Sequence, residues 1–133
     1  SIISLKESIS EIFEKNVPPP MNRLKMIKKL SENGIKTGLA VIPILPFIAE
    51  EKLEDIVKQA KENNASYLLY KYLELKGDQK NIFMETLDEF FPDLVEKYQE
   101  LYMDSYKPDK AYISKINSTV SDLCSIYRVK NKI

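Results

Sequence analysis

Histidine is absent from this chain, and cysteine occurs once, as Cys124. Those two gaps exclude a disulfide framework, Cys/His zinc sites, catalytic triads and any acid/base chemistry that relies on imidazole. Charge of one sign is also missing in excess, because Lys+Arg and Asp+Glu number 20 each and the formal net charge is zero. No global field therefore draws the chain to nucleic acid or to a membrane, although a local basic patch is compatible with the balance. No apolar run reaches the roughly 18 to 20 residues of a spanning helix, and no charged-then-apolar leader opens the sequence. The expectation is a soluble, cytoplasmic protein with no membrane partner, with which a lone thiol agrees.

What is present is enough for one modest domain with a real core, since 44% of the 133 residues are hydrophobic. The stretch that organises the rest is Gly34 to Pro46, GIKTGLAVIPILP. A glycine that can end a helix precedes a compact run with β-branched residues, and Pro43-Ile44-Leu45-Pro46 stops it. With helical patterns on both sides, it reads as a parallel strand buried on both faces.

The remaining chain is placed around that strand. Residues 1–5 are short and β-prone, and Ile9, Ile12 and Phe13 then recur at helical spacing. Pro18-Pro19-Pro20 interrupts the first helix, and a second starts near Pro20, carries Leu24, Ile27 and Leu30 inward, and ends at Gly34 in a left-handed cap. After the central strand, Leu53, Ile56, Val57 and Ala60 mark a helix over 49–63. Residues 66–75 alternate, include Tyr67, Tyr70 and Tyr72, and read as a strand. From Gln79 onward the pattern is helical, over 80–90, 92–102 and 113–128, and the basic tail from Arg128 is expected to fray.

The expected class is therefore α/β, with three parallel strands near 1–5, 36–43 and 66–75 and covering helices. Three such strands leave an edge open at the first, so the pattern suits the second half of a partial barrel, spanning 1–78, followed by a helical extension over 79–133. The opening Ser1-Ile2-Ile3-Ser4-Leu5 lacks methionine and lies inside a β-like run. It reads as cut from something longer, with a tag scar or processed terminus as the alternative. The open edge would pair with the missing first half of its own chain or with another copy.

Several marks, taken in order, resemble a known family. Ser1-Ile2-Ile3-Ser4-Leu5 and then Glu14 are similar to an S-I-T-T-L strand and the Glu of a later E-P pair. Pro18-Pro19-Pro20-Met21-Asn22-Arg23-Leu24, with Ile27, Leu30 and Gly34-Ile35, resembles P-x-P-x-x-R-L and its downstream helix. Val41-Ile42-Pro43-Ile44-Leu45-Pro46 resembles V-A-P-I-I-P, and Leu73, Gly77, Phe83, Leu87, Phe91 and Pro92 fall at later marks. Over 1–102 the chain thus resembles the C-terminal half of radical S-adenosylmethionine proteins of the spore photolyase-related group, often labelled DNA repair photolyase.

The resemblance implies a longer parent that holds a four-iron four-sulfur cluster through C-x-x-x-C-x-x-C and cleaves S-adenosylmethionine reductively. With Cys124 alone, this chain binds no such cofactor and is expected to be inactive by itself. It would supply the wall facing cofactor or substrate, with DNA a candidate substrate by resemblance. The alternative is a non-catalytic α/β interaction module derived from the same scaffold.

Barrel chemistry sits at the carboxyl ends of strands, so the resemblance singles out Ser1 and Ser4 for hydroxyl contacts to a carboxylate or ribose, Pro43 for shaping the mouth, and Glu74. Arg23 either clamps a carboxylate or phosphate through its fork or fastens its helix to Glu14, the second being the favoured reading. Tyr67, Tyr70 and Tyr72 are candidate radical relays or stacking platforms, better explained as strand packing. No catalytic residue and no metal ligand is assigned. Five positions depart from the family: Glu74 stands for arginine, Lys76 for proline, Phe47 for glycine, Ala49 for asparagine and Thr86 for tryptophan. Glu74 inverts a charge where anionic cofactor groups would lie.

Overall fold

The computed structural model describes residues 1–133, the side chain of Glu51 excepted. Six α-helices and two strands follow in the order α1 (Glu7–Phe13), α2 (Pro20–Glu32), β1 (Gly38–Ile44), α3 (Leu53–Glu62), β2 (Tyr67–Tyr72), α4 (Asp78–Phe90), α5 (Val95–Tyr102) and α6 (Lys110–Tyr127). Single 3-10 turns, Glu50–Lys52 and Pro92–Leu94, lead into α3 and α5.

The helix limits follow from local chemistry. Proline at the first position of α2 costs nothing, since that N–H has no partner within a helix, and the Pro19 carbonyl accepts the Arg23 N–H at 3.2 Å. Gly34 closes the same helix at φ 77°, and beyond it the Ile35 N–H reaches back to the Leu30 carbonyl at 3.0 Å. At the start of α6 the Asp109 carboxylate accepts the Tyr112 N–H at 2.8 Å.

β1 and β2 run parallel, with Gly38 opposite Tyr67 and Val41 opposite Tyr70. The ladder becomes irregular between Val41 and Ile44, where Pro43 has no N–H to give it. These are the only paired strands among the described residues, so the expected three-stranded half-barrel over 1–78 is corrected to a two-stranded sheet. Residues 1–5 contribute one backbone hydrogen bond to the sheet, from the Ile2 N–H to the Ala40 carbonyl at 2.8 Å. The Ser4 hydroxyl then accepts the Lys6 N–H at 3.1 Å, which turns the chain away into α1 before a ladder can form. The expected frayed tail is corrected as well. Lys130 bridges Tyr67, its carbonyl takes the Leu68 N–H at 2.7 Å, and Val129 is buried.

Burial along β1 corrects a third expectation. Leu39, Val41 and Ile44 are buried, whereas Ile42 is 44% exposed, so the strand turns one face to the core and leaves part of the other open. α3 and α6 pack on each other and on β2, setting Ile56, Val57 and Ala60 with Ile116, Val120 and Cys124 in one core with the strands. A chain of aromatic rings joins the helices beyond the sheet: Phe13 stacks on Phe83 at 5.6 Å, Phe83 meets Tyr98 at 5.4 Å, and Tyr98 stacks on Tyr102 at 6.0 Å.

Candidate functional site

Two groups of polar side chains flank the sheet. The first is built by α1, α2 and the chain start. Its centre is Arg23, whose Nη1 and Nη2 donate to the two Glu14 carboxylate oxygens at 3.0 and 2.9 Å. Nη2 also donates to the Ser10 hydroxyl at 3.0 Å, and Nη1 donates to the Ser1 carbonyl. Ser10 is buried, and its hydroxyl donates a hydrogen bond to Glu14 Oε1 at 3.0 Å. The triple proline allows this closure, because it reverses the chain between α1 and α2 and brings Glu14 opposite the first turn of α2. The Arg23 Nε is buried there without a hydrogen-bond partner among the described residues. The fork is thus filled by the protein's own acceptors, which is the fastening arrangement; a carboxylate or phosphate ligand would have to displace Glu14.

The Ser1 hydroxyl donates to the Ile42 carbonyl at 3.3 Å, so Ser1 links Arg23 to the residue before Pro43. Ser4 stands apart from that group, buried, with its oxygen holding the start of α1. The structure therefore joins Ser1, Arg23 and the approach to Pro43, and leaves Ser4 and Glu74 in other surroundings.

The second group lies where the strands end. Glu74, just past β2, is held by Lys71 at 2.7 Å and by Lys76 at 3.0 Å. Hydrogen bonds from Lys71 and then Lys76 lower its carboxyl pKa to about 2. Its negative charge is neutralised locally by two lysines. Lys76 in turn lies 4.7 Å from the centre of the Tyr106 ring.

Sequence reasoning missed what covers these strand ends. The Tyr98 hydroxyl donates to the Pro46 carbonyl at 2.6 Å, and the Tyr102 hydroxyl donates to the Leu73 carbonyl at 2.7 Å. Both phenols are pushed up by burial, so both remain protonated donors at neutral pH. The apolar stripe Tyr98, Leu101, Tyr102, spaced three and four along α5, was the available signal that this helix turns inward. Nearby, the Tyr112 hydroxyl and Glu50 Oε2 are buried without a hydrogen-bond partner. Burial, and then the adjacent Glu50 carboxylate, push the Tyr112 phenol up.

The tyrosines that invited a relay reading have ordinary partners. Tyr67 lies across from Gly38, and the Tyr70 hydroxyl donates to Asn117 Oδ1 at 2.8 Å. Tyr72 lines a cavity beside the α5–α6 loop. No group of three or more potential metal-binding side chains occurs among the described residues, and none of the described helices is long and apolar enough to cross a membrane.

No family model matches the chain, and no solved structure matches it. An uncharacterized protein of Acidianus two-tailed virus, ORF301, is 29% identical over 132 residues, which is 99% of this chain and 40% of that protein. Uncharacterized proteins of Mycobacterium bovis and Mycobacterium tuberculosis are 28% identical over 118 residues, 87% of this chain and 35% of theirs. The chain thus spans 40% or less of the length of these curated relatives, to which it is similar across most of its own sequence.

Proposed function

We propose that the chain works as one segment of a longer radical S-adenosylmethionine enzyme related to spore photolyase, for which it supplies a wall and no iron ligand. The observation that carries this reading is the ordered series of marks from Pro18-Pro19-Pro20 through Arg23 and Val41 to Pro46, continuing to Phe91-Pro92. Its similarity to proteins of which it spans 40% or less supports a role within a larger whole. The residues present do not fit the cluster itself, since three thiolates are needed and the one cysteine, Cys124, is buried in α6. No chemical step is therefore assigned to this chain. DNA is the substrate candidate that the resemblance suggests.

The test is anaerobic reconstitution, with iron and sulfide, of the full-length protein that contains this chain, followed by addition of S-adenosylmethionine and a reductant. A cluster absorption band and 5'-deoxyadenosine are the expected results. Their joint absence from a well-folded full-length sample overturns the reading.

One observation favours a second reading, a non-catalytic interaction module. Tyr98 and Tyr102 occupy carbonyls at the ends of both strands, so α5 lies across the place where an α/β protein usually opens to a ligand. On this reading the full-length protein shows neither cluster nor nucleoside product, and the isolated chain retains its fold and its partner.

A further inference from the structure

A cavity of about 910 Å³ opens beside the end of β2 and under the loop that joins α5 to α6. Its volume falls in the range of roughly 300 to 1,000 Å³ typical of small-molecule sites. Apart from Tyr72, Leu101 and Tyr102, its lining comes from residues 103 to 113, beyond those that carry the family resemblance, and it does not depend on the function proposed above.

The lining divides into an apolar body and a polar head. Leu101, Tyr102 and Ile113 form the body, and Tyr102 presents only its ring because its hydroxyl is spent on Leu73. Tyr72, Tyr106 and Lys107 form the head. The Lys107 ammonium lies 5.4 Å from the centre of the Tyr106 ring, which also receives Lys76 at 4.7 Å. Two cations beside one ring repel each other, and the acidic neighbours do not relieve Lys107. Glu74 is committed to Lys71 and Lys76, Asp109 caps α6, and Asp104, which also lines the cavity, forms no ion pair with Lys107. Among the described residues no carboxylate comes within ion-pair distance of Lys107. The Tyr106 and Tyr72 phenols raise its pKa, so the ammonium stays charged at neutral pH.

The rim is held in place by hydrogen bonds within the chain. Leu75 donates its N–H to the Tyr106 carbonyl at 2.9 Å, Lys80 Nζ reaches the Met103 carbonyl at 3.2 Å, and Asp109 donates its N–H to the Leu101 carbonyl at 3.0 Å. Met103 adopts φ 49° with its side chain 76% exposed, a conformation that a non-glycine residue adopts at a cost and that the surrounding bonds impose.

We infer that this cavity binds a small amphipathic anion, its planar or apolar body against Leu101, Tyr102 and Ile113 and its acidic head on Lys107 between the Tyr72 and Tyr106 hydroxyls. A charged head group is required to use Lys107, and a body without one would gain only the apolar wall.

The experiment compares two probes of nearly the same shape: 1-anilinonaphthalene-8-sulfonate, and N-phenyl-1-naphthylamine, which lacks the sulfonate. Each is titrated into the ¹⁵N-labelled chain by NMR and by fluorescence. The sulfonate should bind saturably, at least about ten-fold more tightly than the neutral probe, as one charge-assisted contact provides. Amide shifts should concentrate at Tyr72, Leu101, Tyr106, Lys107 and Ile113. Lys107→Met, an exposed change whose fold the free spectrum verifies, should remove the advantage of the sulfonate and leave the neutral probe unchanged. The inference is overturned if binding does not saturate, if both probes bind alike, if shifts map elsewhere, or if the same residues shift with protein concentration alone, which would mark an interface between copies.

Discussion

The Tyr98 hydroxyl donates to the Pro46 carbonyl at 2.6 Å, joining the middle of α5 to the turn after β1 across 52 positions of sequence. Proline gives that turn its stop but leaves the carbonyl needing a donor, and Tyr98 is 1% exposed, so water does not compete. Tyr98→Phe keeps the ring contacts with Phe83 and Tyr102 and leaves the carbonyl unpaired. The expected loss is about 1 to 3 kcal/mol in urea unfolding. A loss under about 0.5 kcal/mol, within the range of an uninvolved surface change, would show that the hydroxyl does not hold the helix down.

Glu74 makes acid stability sensitive to one carboxylate. Its folded-state pKa is lowered to about 2 from the ordinary carboxyl value of 4.5, by hydrogen bonds from Lys71 and then Lys76. A depressed folded value means that its contribution is full above the unfolded pKa and disappears as pH falls from about 4.5 toward 2. Glu74→Gln should therefore reduce stability at pH 6 to 7 and flatten that part of the acid limb, while wild type and variant converge near pH 2. A Glu74 side-chain NMR titration with its midpoint above 4 would contradict the paired arrangement.

Local features were readable in advance because their causes are local. Pro20 at the start of α2, Gly34 at its end and the Leu53, Ile56, Val57, Ala60 spacing of α3 each depend on residues within a few positions. The number of strands was not readable, because pairing is decided across the chain: residues 1–5 look as β-prone as a strand, yet Ile2 bonds once and Ser4 turns the backbone into α1. The far edge of β2 is met by Lys130, in a tail with no strand pattern at all. The pairing of Arg23 with Glu14 was open to sequence reasoning, since two complementary side chains flank one rigid proline turn. The seal made by Tyr98 and Tyr102 was not, because its acceptors are backbone carbonyls and no residue type announces those.

The Arg23 cluster predicts strong pairwise coupling. Its side chains are largely covered, at 16% exposure for Arg23 and 15% for Glu14, so each charge relies on the other. Glu14→Gln and Arg23→Gln should each cost about 1 to 3 kcal/mol, and the double variant should cost less than their sum by about 1 kcal/mol or more. Arg23→Lys should not rescue, since an ammonium cannot reach both Glu14 oxygens and Ser10 in one plane. Additive losses across this cycle would mean that the two side chains act independently and that the fork is free for another partner.

Glycine is tightly specified where Gly38 faces Tyr67. A Cβ added at Gly38 would lie 2.1 Å from Tyr67 Cε2, in the ring opposite it on β2. Gly38→Ala should destabilise the chain by about 1 to 3 kcal/mol, the usual cost of overpacking. Adding Tyr67→Ser, which removes the obstructing ring, should make the alanine nearly neutral in that background. An equal cost of Gly38→Ala with and without the ring would place the strain in the backbone and not in this contact.

Phe47 stands at a backbone position better suited to glycine. Phe47 sits at φ 62°, in the left-handed region that glycine enters freely, and its ring is held edge-on to Tyr98 at 5.7 Å with Lys97 Nζ 5.6 Å from its centre. The turn after Pro46 thus keeps the conformation for which a glycine is suited, while the side chain contributes packing that a glycine lacks. Substitution by two small residues separates these effects, because both remove the ring and only one is freed of the strained φ. Phe47→Gly should be more stable than Phe47→Ala by about 1 kcal/mol, the usual cost of holding a Cβ in that region. Equal stabilities, measured by urea unfolding at the same pH, would mean that the turn relaxes to a negative φ once the ring is gone, and that the Tyr98 contact holds Phe47 where it is.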